Sequence, residues 1–169
     1  MCLPIGSVSA QVTGAEDGMN TAVDMVGDRI DITGGQTSST GDNLFHSFEQ
    51  FDVDVEQTAN FITPTDIQNV IGKITSDQAS VIDGTVQVSG SEANLYLMNP
   101  SGILMGPDAQ LNLSGGFTAT TATDLGFEDG GQYSIDEATN IEKLSGEIQT
   151  FKFSQTRPGA VVNLGDLAV

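Results

Sequence analysis

Between residues 82 and 121 the chain repeats one short unit: a few alternating apolar residues, then a break at Gly, Pro, Asn or Asp. The strand-like pieces are 84–89, 94–98, 103–105, 109–113 and 117–121, with centres about eight residues apart. Regular short strands with small turns suit a sandwich, a barrel or a β-solenoid, and the spacing alone does not choose among them. Asn94, Asn99 and Asn112 near strand ends hint at the side-chain ladders of solenoids, whose coils lie directly over one another. At the centre of the stretch stands Asn99-Pro100-Ser101-Gly102-Ile103. Pro100 fixes its own φ and biases Asn99 towards an extended backbone, Gly102 is free to take a positive φ, and Ile103 begins a new strand. These five residues read as a tight corner between two strands.

The rest of the composition agrees with a β-rich fold. The 169 residues suit one domain with a single core, and 20 glycines with no tryptophan favour strands and turns over helices. A formal charge of −18, with only Arg29, Lys73, Lys143, Lys152 and Arg157 as fixed cations, opposes nucleic acid and anionic membrane. It serves solubility or attraction to a basic partner surface. No stretch is long and apolar enough to span a membrane. Val8-Ser9-Ala10 before Gln11 has the small-residue pattern of a signal-peptidase site, but the apolar run ahead of it is short and lacks a basic start. Residues 1–10 are therefore read as a signal-peptide remnant, left by a misplaced start codon or an excised fragment, and 11–169 as the domain. Cleavage there would remove Cys2, the single cysteine, leaving a chain that oxidation cannot trap in the periplasm.

Outside the repetitive stretch the pattern is uneven. Residues 11–27 are polar and weakly patterned, 29–33 alternate as a strand, and 34–42 read as a loop. Residues 43–55 hold the densest aromatics: Phe45, Phe48 and Phe51 recur every third residue, as on a helix, while Val53 and Val55 alternate, as on a strand. Residues 64–75 carry apolar side chains at helical spacing, yet the β-branching of Val70, Ile71 and Ile74 favours a short turn followed by a strand over 70–75. Residues 123–140 are acidic and glycine-rich, a loop or an excursion from the core. Strands return over 147–149 and 151–153, and the last eleven residues read as two more strands with a Gly-Asp turn. An apolar strand at the end marks the front of something longer.

Catalytic chemistry finds little to use. His46 is the one histidine, and its neighbour Ser47 would point to the opposite face of a strand, so the pair cannot act as base and nucleophile. His46 is expected at the surface or in a turn. One Cys and one His cannot make a zinc site. Asp108 or Asp129 could contribute to a calcium site, but no EF-hand or calcium-binding nonapeptide repeat is present, and there is no phosphate loop or dinucleotide fingerprint. No cofactor is expected. A β-helical polysaccharide hydrolase or lyase is the one enzyme class with an architectural precedent, and nothing in the acid pattern selects it.

Several segments together resemble one family. Asn43-Leu44-Phe45-His46-Ser47-Phe48 with Phe51 and Val53, residues 67–75 (IQNVIGKIT), 80–84 (SVIDG), 94–103 (NLYLMNPSGI), 117–122 (FTATTA) and 158–163 (PGAVVN) follow one another as do the landmarks of two-partner-secretion domains. These are the amino-terminal domains of filamentous-haemagglutinin-like exoproteins, and the wording is closest to cyanobacterial members. Ser101 stands where the commonest motif has Asn. The separate NPNL motif of the filamentous-haemagglutinin branch is absent, so no role of that motif carries over.

The resemblance implies an all-β fold, a right-handed parallel β-helix with an N-terminal cap and extra-helical strands. Val86, Val88, Leu95, Leu97, Ile103, Leu111 and Leu113 would then face the core. It also implies a secretion and targeting role at the front of a large TpsA-type exoprotein, an adhesin. The chain would reach the periplasm by the general secretory route as a monomer. There the POTRA domains of a TpsB-type outer-membrane β-barrel would recognise it and pass it outward to fold at the cell surface. The residues expected to carry this are Asn99, Pro100, Ser101, Gly102 and Ile103, with Asn43, Phe45, Phe48 and Phe51. They would act either by shaping the coils or by touching the partner. The other reading is a self-contained β-helical module that binds carbohydrate or another cell directly.

Overall fold

The computed structural model describes residues 11–137 and 139–167; the leader-like residues 1–10 and the last two residues lie outside the described residues. The chain opens with β1 (Val12–Gly14), β2 (Thr21–Val26), β3 (Arg29–Gly34) and β4 (Gln36–Thr37). The winding part follows: β5 (Asn43–Phe51), β6 (Thr58–Ile62), β7 (Asn69–Ile74), β8 (Ser80–Ile82), β9 (Thr85–Ser89), β10 (Asn94–Met98), β11 (Ile103–Met105), β12 (Gln110–Asn112) and β13 (Phe117–Thr120). A detour then holds β14 (Asp124–Phe127), β15 (Gln132–Ser134), a single 3₁₀ turn (Ile141–Lys143) and β16 (Ile148–Lys152), before β17 (Val161–Asn163).

Of the three architectures that strand spacing allows, the chain adopts the solenoid, with about four turns. Each turn visits three parallel sheets in order. Sheet A stacks β5, β7, β10 and β13; sheet C stacks β8, β11 and β17, with Val53 bridging to Ile82; sheet B stacks β3, β6, β9 and β12. Two antiparallel strands cap the N-terminal end, β1 on β5 and β2 on β3. The detour forms a separate antiparallel sheet, β15-β14-β16, over the outward side of sheet A.

Strand alternation explains the two cores. In sheets A and B one set of side chains (Leu44, Phe48, Val70, Leu95, Leu97, Ile30, Phe61, Val86) fills the solenoid interior. The opposite set on sheet A (Phe45, Ile71, Met98) meets Leu125, Phe127 and Tyr133 from the detour. Of the expected core residues, Val86, Leu95, Leu97, Ile103 and Leu111 are buried, while Val88 and Leu113 are partly covered.

The ambiguous stretch at residues 43–55 is a strand over Asn43–Phe51. Phe45 points out and Phe48 points in, and a bulge then brings Phe51 inward as well. Opposite β1, register runs from Thr13↔Gln50 to Gly14↔Phe48, so Glu49 is the extra residue. Residues 64–75 form a turn and then β7, as the β-branched side chains suggest. The polar, weakly patterned residues 11–27 contain the two capping strands. β1 buries Val12 alone, β2 has no buried residue and Met19 lies between the two, so the sequence shows no repeated apolar signal there. Likewise the expected loop at 34–42 contains β4, and the acidic excursion is the β14–β15 hairpin.

Stacked amides lock the coils in register. At one corner Asn69 donates to Asn43 Oδ1 (2.9 Å), Asn94 donates to Asn69 Oδ1 (3.1 Å), and the Gly116 N–H closes the row on Asn94 Oδ1 (2.8 Å). A second row crosses the outer face of sheet B: Asn112 donates to Gln87, Gln87 to Asn60 and Asn60 to Asp31, at 2.8–3.2 Å. Asn94 and Asn112 thus belong to ladders, whereas Asn99 does not.

The buried row should carry more stability than the exposed one. Asn69→Ala removes two bonds and leaves the partner atoms on Asn43 and Asn94 unpaired. It is expected to cost about 2–4 kcal/mol in urea unfolding, against about 0.5 kcal/mol or less for exposed Asn112→Ala.

Candidate functional site

The corner begins where β10 ends. Gly102 N–H donates to the Asn99 carbonyl (3.0 Å), closing a four-residue turn with Pro100 in its second place. The Asn99 side chain is wholly buried. Its Oδ1 accepts Ser101 N–H at 3.0 Å, and its Nδ2 donates to the Gln78 carbonyl and to Ser80 Oγ, each at 3.0 Å. Its backbone N–H donates to Thr120 O at 2.9 Å on the next turn of the solenoid. One asparagine therefore ties its own turn to the turns before and after it.

The other corner residues do related work. Gly102 sits at φ +122°, a conformation side chains rarely adopt, and its carbonyl accepts Ser80 N–H at 3.0 Å. Gly159 N–H donates to Pro100 O (2.8 Å) and Ile103 N–H to Ala160 O (3.0 Å), so residues 158–160 close over the corner. A Cβ on Gly159 would collide with the Ser101 backbone, so only glycine fits. Ile103 is buried in the core, while Ser101 is half-buried with Oγ 3.5 Å from Ser76 O.

Asn43, Phe45, Phe48 and Phe51 are all buried and do not form an exposed strip. Asn43 Nδ2 donates to the carbonyls of Leu144 and Gly146, each at 2.9 Å, binding the first turn to the detour. Beside it, the Asp42 carboxylate accepts Gly146 N–H (2.9 Å), Ser38 Oγ (2.6 Å) and Thr40 Oγ1. Burial opposes the charge on Asp42, but these bonds together outweigh it and hold the carboxyl below its ordinary pKa. Phe45 packs outward on Tyr133 and Phe127 (ring centres 4.8 and 5.6 Å), while Phe48 packs inward on Phe51 (5.1 Å). Asn43 opens the first strand of sheet A and Asn99 follows the end of the third, so the two groups lie at opposite ends of that sheet.

The TPS secretion domain family model matches residues 10–165. The chain belongs to this family. A TPS secretion domain is the secretion and targeting module of a TpsA-type exoprotein, whose second partner is a transporter. The fold is similar to that of the HMW1 secretion domain from Haemophilus influenzae, with TM-score 0.59 and 23% identity, covering 92% of this chain and 34% of that one. The chain thus spans about a third of the length of the solved chain. No curated protein matches it.

Several residues that shape this TPS domain escape a reading of single segments. Asp42, Asn69, Ser80 and Gly159 gain their roles only from coil register, which appears in the sequence as Asn43, Asn69 and Asn94 at intervals of 26 and 25. His46 is a correction: it is not at the surface but fully buried. Its ring faces inward between Phe48 and Phe61, with Nδ1 3.3 Å from Thr21 Oγ1 and no partner for Nε2. Lys73 is also buried, donating to Ser134 O (3.2 Å) with its ammonium 4.9 Å from the Tyr133 ring centre. Burial lowers its pKa, against the opposing pull of Asp17 and Asp136. Asp129, considered for calcium, accepts the N–H groups of Gly131 and Ser145, and no cluster of three metal-ligating side chains occurs among the described residues.

Burial depresses the His46 pKa to about 4. The unfolded chain then binds the proton first, so the stability due to neutral His46 is complete above about pH 6.5 and is lost as pH falls towards 4. In urea unfolding, the native TPS domain should lose about 1 kcal/mol per pH unit more than His46→Phe between pH 6 and 4.5. Equal slopes would show that His46 does not titrate in this way.

Proposed function

We propose that this TPS domain is recognised in the periplasm by the POTRA domains of a TpsB-type outer-membrane β-barrel. It is then exported at the front of an adhesin and nucleates the folding of the β-helix outside the cell. The family match over residues 10–165 carries the reading. Two features of the fold support it. The solenoid presents the strand edges of its last turn, β12 and β13, onto which further coils can stack. The domain's burial of apolar surface also supplies folding free energy on the far side of a membrane, where it opposes return of the chain.

The corner Asn99–Ile103 acts through the fold in this reading. Every polar group of the Asn99 side chain already has a partner inside the domain, so none is free for the transporter.

Titration of the native domain with the POTRA domains of the transporter encoded beside it should give binding in the micromolar range. Asn99→Ala should lower stability by about 2–4 kcal/mol yet bind with unchanged affinity per folded molecule. No binding by the native domain to a transporter shown to be active would refute the proposal. Lost affinity in a fully folded Asn99→Ala protein would instead make the motif a direct contact.

A further inference from the structure

Where the N-terminal cap, sheet A and the detour meet, they enclose a cavity of about 320 Å³. That volume lies at the lower end of the range for small-molecule sites. Its floor is buried: Met19 from the cap, Lys73 from β7, Tyr133 from β15 and Ile141 from the 3₁₀ turn are each no more than 7% exposed. Half-buried Ile135 adds an apolar wall. Two exposed carboxylates stand at the rim, Asp17 on the cap and Asp136 on the detour.

Lys73 is the residue to explain. Other outward positions on sheet A, such as Ile71 and Met98, are apolar and pack against the detour. A methionine at 73 would cover the same surface without burying a charge. The ammonium has three hydrogens to place. One goes to Ser134 O (3.2 Å), and the Tyr133 ring centre lies 4.9 Å away. Lys73 makes no other hydrogen bond and no ion pair among the described residues. Asp17 and Asp136 are near enough to oppose the fall in its pKa, yet neither touches it.

Asp17 is fixed in place. Its Oδ1 accepts Met19 N–H (3.1 Å) and its Oδ2 accepts the Ser47 hydroxyl (2.5 Å), and Ser47 is the register partner of Lys73 on β5. A carboxylate offers about four acceptor sites, so Asp17 keeps spare capacity. Gln36 Nε2 donates to Gly18 O (2.7 Å) and steadies the same loop.

We infer that this cavity binds a small zwitterion of the amino-acid class. The ligand's carboxylate takes the spare hydrogen of Lys73, its ammonium lies between Asp17 and Asp136, and its aliphatic side chain packs on Met19, Ile135 and Ile141. Charge selects this class. A simple anion must pass the acidic rim of a chain carrying −18, and a simple cation meets Lys73 on the floor. A molecule with both charges, placed in this order, meets neither barrier. Lys73 and Asp17 are already held by their own hydrogen bonds, so binding has little left to order. The inference does not depend on the transporter reading, since it concerns the folded domain alone.

The test is calorimetric titration of the whole chain with L-leucine. Isocaproate and isoamylamine serve as the same skeleton without the ammonium or without the carboxylate. Leucine should bind with a millimolar Kd or tighter, and each single-charge analogue at least about tenfold more weakly. Lys73→Met should keep the native thermal midpoint or raise it, and lose at least about tenfold in affinity for leucine. Asp17→Asn with Asp136→Asn should weaken leucine and admit isocaproate. Lys152→Met, on exposed β16, should leave affinity unchanged. No saturable binding of leucine, equal binding of isocaproate, or native affinity in the folded Lys73→Met protein would each overturn the site.

Discussion

A carboxamide sealed from water must find partners for its two donor hydrogens and its oxygen within the protein. Asn43 does so by reaching across the whole fold. Its oxygen takes the first rung of the amide ladder, and its hydrogens go to carbonyls 101 and 103 residues downstream. Asp42 adds a bond 104 residues long. The first turn of the solenoid is therefore incomplete until the loop at Leu144–Gly146 has arrived. The corner at Asn99 has the same dependence, since residues 159 and 160 supply two of its backbone partners. A solenoid invites the picture of coils added one by one. These contacts argue that in this domain the first and last coils close together, with the loop-closure entropy of a long segment offset only at the end.

That dependence gives the detour a purpose within the fold. Its β14–β16 sheet covers Phe45, Ile71 and Met98, which would otherwise leave sheet A with an apolar outer face. Tyr133 reaches the His46 carbonyl and Lys73 reaches Ser134, so polar groups as well as rings hold the roof down.

Much of this was legible in the sequence. Alternation over residues 82–121 marks β10 and β11 to the residue, because β10 stops at Asn99 and β11 lies between Gly102 and Gly106. The aromatic strand was ambiguous because the bulge at Glu49 gives phenylalanines a spacing of three while two of them face the same core. The burial of His46 has no sequence mark of its own; it follows from the parity of Leu44 and Phe48 on the same strand. The capping strands β1 and β2 carry no repeated apolar signal, so the N-terminal cap is legible through the family resemblance and not in the pattern of residues 11–27. Roles that depend on contacts between distant turns, such as those of Asp42 and Gly159, have no local pattern at all.

The first turn, the detour and the final corner are expected to open as one unit, because Asn43, Asp42 and the 159–160 segment join them. Native-state hydrogen exchange across a denaturant series measures this directly. Amides of β5, of β14 and of Ile103 should converge on one opening free energy with the same denaturant slope. If the β14 amides exchanged through a separate, much cheaper opening while β5 stayed protected, the long-range clasp at Asn43 would not be holding the fold together.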